Sequence, residues 1–235
     1  MKTMKKQCIW ILGGMWPEAS SYLYKKIIEY YQKKYNALQD IDYPHLIINN
    51  ICLSWFDETW IQDASQVKQG LLAGILQLDN AGVNKIVIAC NTVHVYYDFL
   101  QQNSAGNIIN LILEVSNRLK DSWHAKVLIL WSSTTYNTNL YDEYLHDIGI
   151  SYYKVTSREQ SNIDNAIKNV MWWCIKKKDK EYLLGICKRY KKIWVTSCIV
   201  WCTELPFLVH QDKNPLELFD TLSVLTDMVD SIDKL

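Results

Sequence analysis

At 235 residues and 49% hydrophobic side chains, the chain is long enough for one large domain or two small ones with a real core, and it is not disordered. Lys+Arg and Asp+Glu are 25 each, so the formal net charge is zero and no overall field draws the protein to nucleic acid or to an anionic membrane. Seven cysteines, an odd number without the rhythm of a secreted framework, point to reduced thiols in a cytoplasm.

Met1 to Gln7 is basic and the next nine residues are apolar, which imitates a short signal peptide, but no small-residue cleavage site follows cleanly. A strand and a turn are the better expectation there. No run approaches the ~18 apolar residues needed to span a bilayer. Strand-length apolar runs recur at residues 8–12, 46–50, 85–89, 126–131, 151–155 and 193–197. Helix-period segments separate them at 17–35, about 57–81, 93–102, 111–121, 136–147, 159–175 and 179–190. Asn214 as N-cap, Pro215 at the first helical position and Glu217 three residues after the cap predict a last helix over 215–230. The runs Lys176-Lys177-Lys178 and Lys188-Arg189-Tyr190-Lys191-Lys192 lie in or beside predicted helices and read as a solvated face. The alternation of strands and helices predicts an α/β protein with a mainly parallel sheet, or two such sheets, covered by helices.

Gly13-Gly14 after the first strand and Pro17 at the next helix make a tight strand–loop–helix turn whose free N–H groups suit a carboxylate. No dinucleotide or P-loop glycine spacing is present. Chemistry points instead to two cysteines. Cys90, in Ala89-Cys90-Asn91-Thr92-Val93-His94, and Cys202, in Cys202-Thr203-Glu204-Leu205-Pro206, each end an apolar strand-like run, the place where α/β sheets bind ligands. Two thiols facing one pocket can act as an acid and a base at one carbon. Two other readings use the same residues: a metal site from Cys198, Cys202 and His210, which lacks a paired-ligand turn, and a hydrolytic nucleophile, Cys90 with His94, which lacks an evident orienting third group. Cys8, Cys52, Cys174 and Cys187 read as small buried hydrophobes.

Gly13-Gly14-Met15-Trp16-Pro17-Glu18-Ala19-Ser20, Ala89-Cys90-Asn91-Thr92-Val93-His94 and Cys202-Thr203-Glu204-Leu205-Pro206 resemble, in order and spacing, three signatures of the aspartate/glutamate racemase family of PLP-independent racemases. The resemblance implies two pseudo-symmetric α/β lobes with the active site in the cleft between them, residues 1–102 plus 206–235 forming one lobe and 103–205 the other. It implies no cofactor, a small amino acid or related carboxylate as the partner, and a homodimer. Cys90 and Cys202 would be the opposing bases. Asn91, Thr92 and Thr203 would hold the substrate's carboxylate and ammonium, Ser133, Thr134 and Thr135 would form a hydroxyl-rich carboxylate loop, and Met15 and Asn49 would line the pocket. The two sulfurs would stand about 7–9 Å apart in a closed site, each within attack reach of one carbon.

The chain departs from that pattern in two ways. No arginine follows the second strand, where Asn49-Asn50-Ile51-Cys52-Leu53-Ser54-Trp55 stands, and Arg118, Arg158 and Arg189 are the only arginines. Without a guanidinium fork, recognition of an acidic side chain falls to another cation such as Lys168, or is lost. Trp16, Trp131 and Trp201 occupy positions where the family commonly has small residues, so they either fill the pocket or belong to the lobe cores. The alternatives to an amino-acid racemase are a substrate-shifted relative, such as a hydantoin racemase or maleate isomerase, and a catalytically silent binding protein.

Overall fold

The computed structural model describes residues 8–57, 60–82 and 85–231; the segment from Met1 to Gln7 lies outside them. The first half runs β1 (Cys8–Gly13), α1 (Pro17–Tyr35), β2 (His45–Asn50), a small antiparallel hairpin of β3 (Phe56–Asp57) and β4 (Trp60–Ile61), α2 (Ala64–Asn80), β5 (Lys85–Ile88), α3 (Tyr97–Gln102) and β6 (Asn107–Ile108). The second half runs α4 (Leu111–Asp121), β7 (Lys126–Leu130), α5 (Ser133–Tyr136), α6 (Asp142–Asp147), β8 (Ser151–Tyr153), α7 (Ser157–Met171), α8 (Lys177–Lys191), β9 (Ser197–Val200), β10 (Glu217–Asp220) and α9 (Thr221–Ser231).

Two four-stranded sheets result, ordered β2-β1-β5-β6 and β10-β9-β7-β8, and every pairing within them is parallel. Counted along each half, both have the order second, first, third, fourth. The correspondence extends to single hydrogen bonds: Ala89 N–H donates to Leu12 O at 2.9 Å in one sheet, and Trp201 N–H to Leu130 O at 2.9 Å in the other.

Strand alternation sorts the side chains into three layers. Ile9, Ile11, Val87 and Ala89 from the first sheet share a central core with Val127, Ile129, Trp131, Ile199 and Trp201 from the second, and α9 closes this core with Leu222, Leu225 and Val229. The outer face of the first sheet packs Leu12, Ile86 and Ile88 against Val67, Leu71 and Ile75 of α2. The outer face of the second packs Leu128, Leu130 and Val200 against Ile163, Ile167, Leu183 and Ile186 of α7 and α8. Central strands buried on both faces must be apolar throughout, which is why β1, β5, β7 and β9 read as continuous hydrophobic runs.

The structure corrects several expected boundaries. Residues 215–220 are not helical. Asn214 Oδ1 does accept from Leu216 N–H at 3.0 Å, but the turn delivers the chain into β10, which pairs with the open edge of β9, and helix α9 begins only at Thr221. Pairing an otherwise unsatisfied strand edge outweighs a local capping pattern. The run at 193–197 is mostly a turn closing α8, with Ile193 and Trp194 exposed, and β9 begins at Ser197. The helix expected from 57 starts at Ala64, where the Asp63 carboxylate accepts from Ser65 and Gln66 N–H at 2.9 and 3.1 Å, with the β3–β4 hairpin before it. The segment 136–147 is split between α5 and α6. Pairing carries the first sheet to Ile108 and keeps the second through Asp220, so of the residues after 206 it is α9 that packs back on α1 and α4.

Candidate functional site

In a doubly wound sheet the ligand crevice opens at the carboxyl ends of the strands, where the chain order reverses, here between β1 and β5 and between β7 and β9. Both cysteines stand there. Cys90 lies two residues beyond the end of β5 and Cys202 two residues beyond the end of β9, equivalent positions in the two halves. Both are buried, 3% and 4% exposed.

Hydrogen bonds tie these two ends together. The Thr92 and Thr135 hydroxyls are hydrogen-bonded at 3.0 Å, one donating to the other, linking the segment after β5 to the segment after β7, and Ser132 Oγ lies 3.4 Å from Thr135 Oγ1. Asn91 Nδ2 donates to Thr221 Oγ1 at 2.7 Å, linking the same first-sheet loop to the end of β10. Asn91 Oδ1 is buried without a partner. These bonds join the carboxyl ends of the two sheets, with Asn91, Thr92, Ser132 and Thr135 along the seam.

Around Cys202 the structure adds a residue that the sequence reading left out of the site. Cys202 Sγ donates to Glu204 Oε2 at 2.8 Å and Thr203 Oγ1 donates to the same oxygen at 3.1 Å. Glu204 is fully buried and its Oε1 has no partner. Burial pushes the Glu204 carboxyl pKa up, while the bonds from Cys202 and Thr203 act to lower it. Its position inside the Cys202 motif was visible in the sequence, but nothing in spacing showed that the carboxylate turns back onto the thiol.

Other expected residues have different surroundings. Ser133 gives its N–H to Asp164 Oδ1 at 3.0 Å and its hydroxyl to Asp164 Oδ2, so it is committed to α7, while Thr134 is buried beside it. Asn49 Nδ2 donates to Gly74 O at 3.0 Å and Gln77 Oε1 at 2.8 Å, which fastens β2 to α2. Met15 is buried in the same cluster as Cys90. His94 Nδ1 sits 3.0 Å from Cys90 O, and because a carbonyl only accepts, that nitrogen carries the proton. Burial holds the ring's pKa down at about 4, so it stays neutral at neutral pH and forms no imidazolium to pair with a thiolate. Among the described residues no group of three or more His, Cys, Asp or Glu is placed to hold a metal ion, and Cys202 is engaged by Glu204.

Two of the three arginines are held in ion pairs: Arg118 with Asp227 of α9 at 2.7 Å and Arg189 with Glu159 of α7. Arg158 and Lys168 lie on the exposed face of α7. The tryptophans divide. Trp131 and Trp201 are fully buried in the central core, Trp201 edge-on to Tyr141 at 4.9 Å, so they do not narrow the crevice. Trp16 does approach it, packing against the cluster that contains Cys202 and meeting Phe207 edge-on at 5.8 Å.

The family profile described as Asp/Glu/Hydantoin racemase matches residues 12–229. The chain belongs to that family. Among curated relatives, the broad-specificity amino-acid racemase RacX of Bacillus subtilis is 33% identical over 143 residues, which is 60% of this chain and 61% of the relative's length. Among solved structures, an aspartate racemase homologue from Pyrococcus horikoshii superposes with a TM-score of 0.83 at 25% identity, covering 98% of this chain and 100% of that one. Picrophilus torridus aspartate racemase gives 0.78 at 22% identity over 96% and 94% of the two chains, a likeness of fold. The family's two-lobed architecture is thus present over nearly the whole length. No helix among the described residues is long and apolar enough to cross a membrane.

Proposed function

We propose that the protein is a cofactor-independent amino-acid racemase in which Cys90 and Cys202 act from opposite faces of the substrate Cα. The observation that carries the reading is their equivalent placement, each two residues past the third strand of its sheet, in crevices tied together by the Thr92–Thr135 bond. In the arrangement described, the Cys202 thiol donates to Glu204 and so holds a proton ready to give. Cys90, as the thiolate, removes the Cα proton; Cys202 then returns one from the other side, and the opposite enantiomer uses the pair in reverse. The sulfurs stand about 7–9 Å apart when the site closes on substrate.

Charge builds on the substrate carboxylate as Cα–H breaks. Hydroxyls of Thr92, Thr135 and Ser132 supply donors for it inside a buried seam, where such donors act most strongly. The unpartnered oxygens Asn91 Oδ1 and Glu204 Oε1 are acceptors suited to the substrate ammonium. With the arginines engaged elsewhere or on the surface, the pocket favours neutral side chains over aspartate or glutamate, in keeping with the broad specificity named for the Bacillus relative. A cytoplasmic homodimer is part of the proposal, and Leu38 and Ile41, 78% and 74% exposed, are apolar surface that association would cover.

A panel of amino acids incubated in deuterated buffer tests the reading. Solvent deuterium entering Cα together with the opposite enantiomer is the expected result. Ligand-induced stabilisation with no exchange on any member of the panel would instead identify a silent binding protein.

A further inference from the structure

Five tryptophans occupy backbone that tryptophan does not ordinarily adopt. Among the described residues seven non-glycine positions have positive φ, and two of them are asparagines, a side chain that tolerates the left-handed region. The other five are Trp16 (φ 64°), Trp55 (64°), Trp123 (58°), Trp173 (53°) and Trp194 (67°). No third residue type shares the set. For any L side chain this conformation presses Cβ toward the following carbonyl, and for a bulky one it is an outlier; glycine escapes the conflict.

Three of the five close helices in the manner glycine does. After α7, Trp173 N–H donates to Val170 O and Cys174 N–H to Asn169 O, both at 2.8 Å. After α8, Trp194 N–H donates to Lys191 O at 3.1 Å and Val195 N–H to Tyr190 O at 3.3 Å. These are the paired bonds of a Schellman cap, whose left-handed residue is usually glycine. Trp123, after α4, makes one bond of the pair, to Lys120 O at 3.3 Å. Most of each indole is in solvent there: Trp123, Trp194, Trp173 and Trp55 are 93%, 82%, 62% and 53% exposed, Trp173 meeting Phe207 edge-on at 6.4 Å.

The buried tryptophans and the composition point the same way. By the matching of the two sheets, Trp131 occupies the position of Gly13 and Trp201 that of Ala89. Both indole N–H groups are buried without partners. The chain has only 8 glycines but 10 tryptophans. Eight is about half the usual glycine share of ~7%, and the two residue types together restore it.

We infer that positions 16, 55, 123, 173 and 194 are glycine in the protein as its host makes it, the codon at each being UGA, which some genetic codes read as tryptophan and others as glycine. One difference in decoding accounts for backbone, exposure and composition at once. At position 16 it reaches the site, since glycine there removes the ring that packs on Phe207 beside Cys202 and opens that side of the crevice to a substrate side chain. That last consequence rests on the racemase reading, whereas the decoding inference does not.

The gene's nucleotide sequence and peptide mass spectrometry of the protein purified from the organism carrying it test the inference without reference to activity. UGA at all five codons, and peptides lighter by an indolylmethyl group at each, are expected. UGG codons, or tryptophan masses at any of the five positions, overturn it. Recombinant protein supplies a second measurement at the four positions remote from the site: Trp55, Trp123, Trp173 and Trp194, all changed to glycine or all to alanine. Alanine removes the bulk but keeps the Cβ in the left-handed region, so the glycine set should melt higher by roughly 2–4 °C per position. Equal melting of the two sets overturns the argument from backbone geometry.

Discussion

Cys202 Sγ donates to Glu204 Oε2 at 2.8 Å inside the protein, and the second oxygen of that carboxylate has no partner. An anion held against a thiol opposes formation of the thiolate. Glu204→Gln keeps an acceptor oxygen and removes the charge. In a Cys90→Ser background, alkylation of Cys202 at neutral pH should then be about tenfold faster with Gln at 204 than with Glu. Unchanged alkylation would mean that the carboxylate does not control the thiol.

If the thiols are acid and base, neither can be spared. Cys90→Ser and Cys202→Ser should each lower racemisation by about 10²–10⁴-fold, the range for loss of a positioned proton-transfer group. Circular dichroism of the unchanged fold accompanies the polarimetric assay. Full racemisation by either variant would remove that residue from the mechanism.

The Thr92–Thr135 bond joins loops from different sheets, so its contribution can be isolated with a double-mutant cycle of Thr→Val changes. The expected coupling is about 1 kcal/mol in urea unfolding, the usual net worth of a neutral hydrogen bond. Coupling near zero would show that this bond adds nothing to the join between the two sheets.

Much of this arrangement is readable in the sequence where local and global preferences agree. Helices 17–35 and 111–121 match α1 and α4, since Pro17 opens one and the Asn110 side chain caps the other on Leu113 N–H at 3.1 Å. The continuous apolar runs of β1, β5 and β7 follow from burial on both faces. Failures come where long-range pairing decides. β10 exists because β9 has an open edge, and β6 is two residues that become a strand only beside β5. Equivalent placement of the two cysteines rests on the shared strand order, which no linear spacing displays. The Glu204 contact depends on a side chain folding back within its own loop. Sequence left the tryptophans with two readings, pocket or core, and at 131 and 201 strand alternation aims them into the central core.

Stability should depend on pH through two buried groups of opposite sign. The His94 pKa is depressed to about 4 from an ordinary 6.5, so its contribution is present above pH 6.5 and lost as pH falls through about 4. The difference corresponds to about 3 kcal/mol. Glu204, raised by burial, contributes stability that is complete below its ordinary 4.5 and lost as pH rises through its folded value. Denaturant unfolding of His94→Gln should show a shallower loss between pH 6.5 and 4, and Glu204→Gln a shallower loss as pH rises above 4.5. A His94→Gln curve parallel to that of the unmodified chain would place the acid sensitivity elsewhere.

Substrate choice should follow the missing guanidinium and the ring at position 16, and the two effects can be separated. Arg118 and Arg189 are held in ion pairs with Asp227 and Glu159 and Arg158 lies on the exposed face of α7, so the crevice is expected to offer no bidentate fork to a side-chain carboxylate. Trp16 packs beside the Cys202 cluster, where its removal adds space without adding charge. Trp16→Gly should therefore raise turnover of amino acids with large neutral side chains by about tenfold or more, the scale on which pocket volume discriminates, while aspartate and glutamate gain little. Deuterium exchange at Cα across the panel, compared for the two chains, makes the measurement. Rapid exchange of aspartate by the unmodified chain would show that another group supplies the positive charge. An equal gain for aspartate and for large neutral substrates on replacing Trp16 would show that the ring limits access to the site as a whole and does not select among side chains.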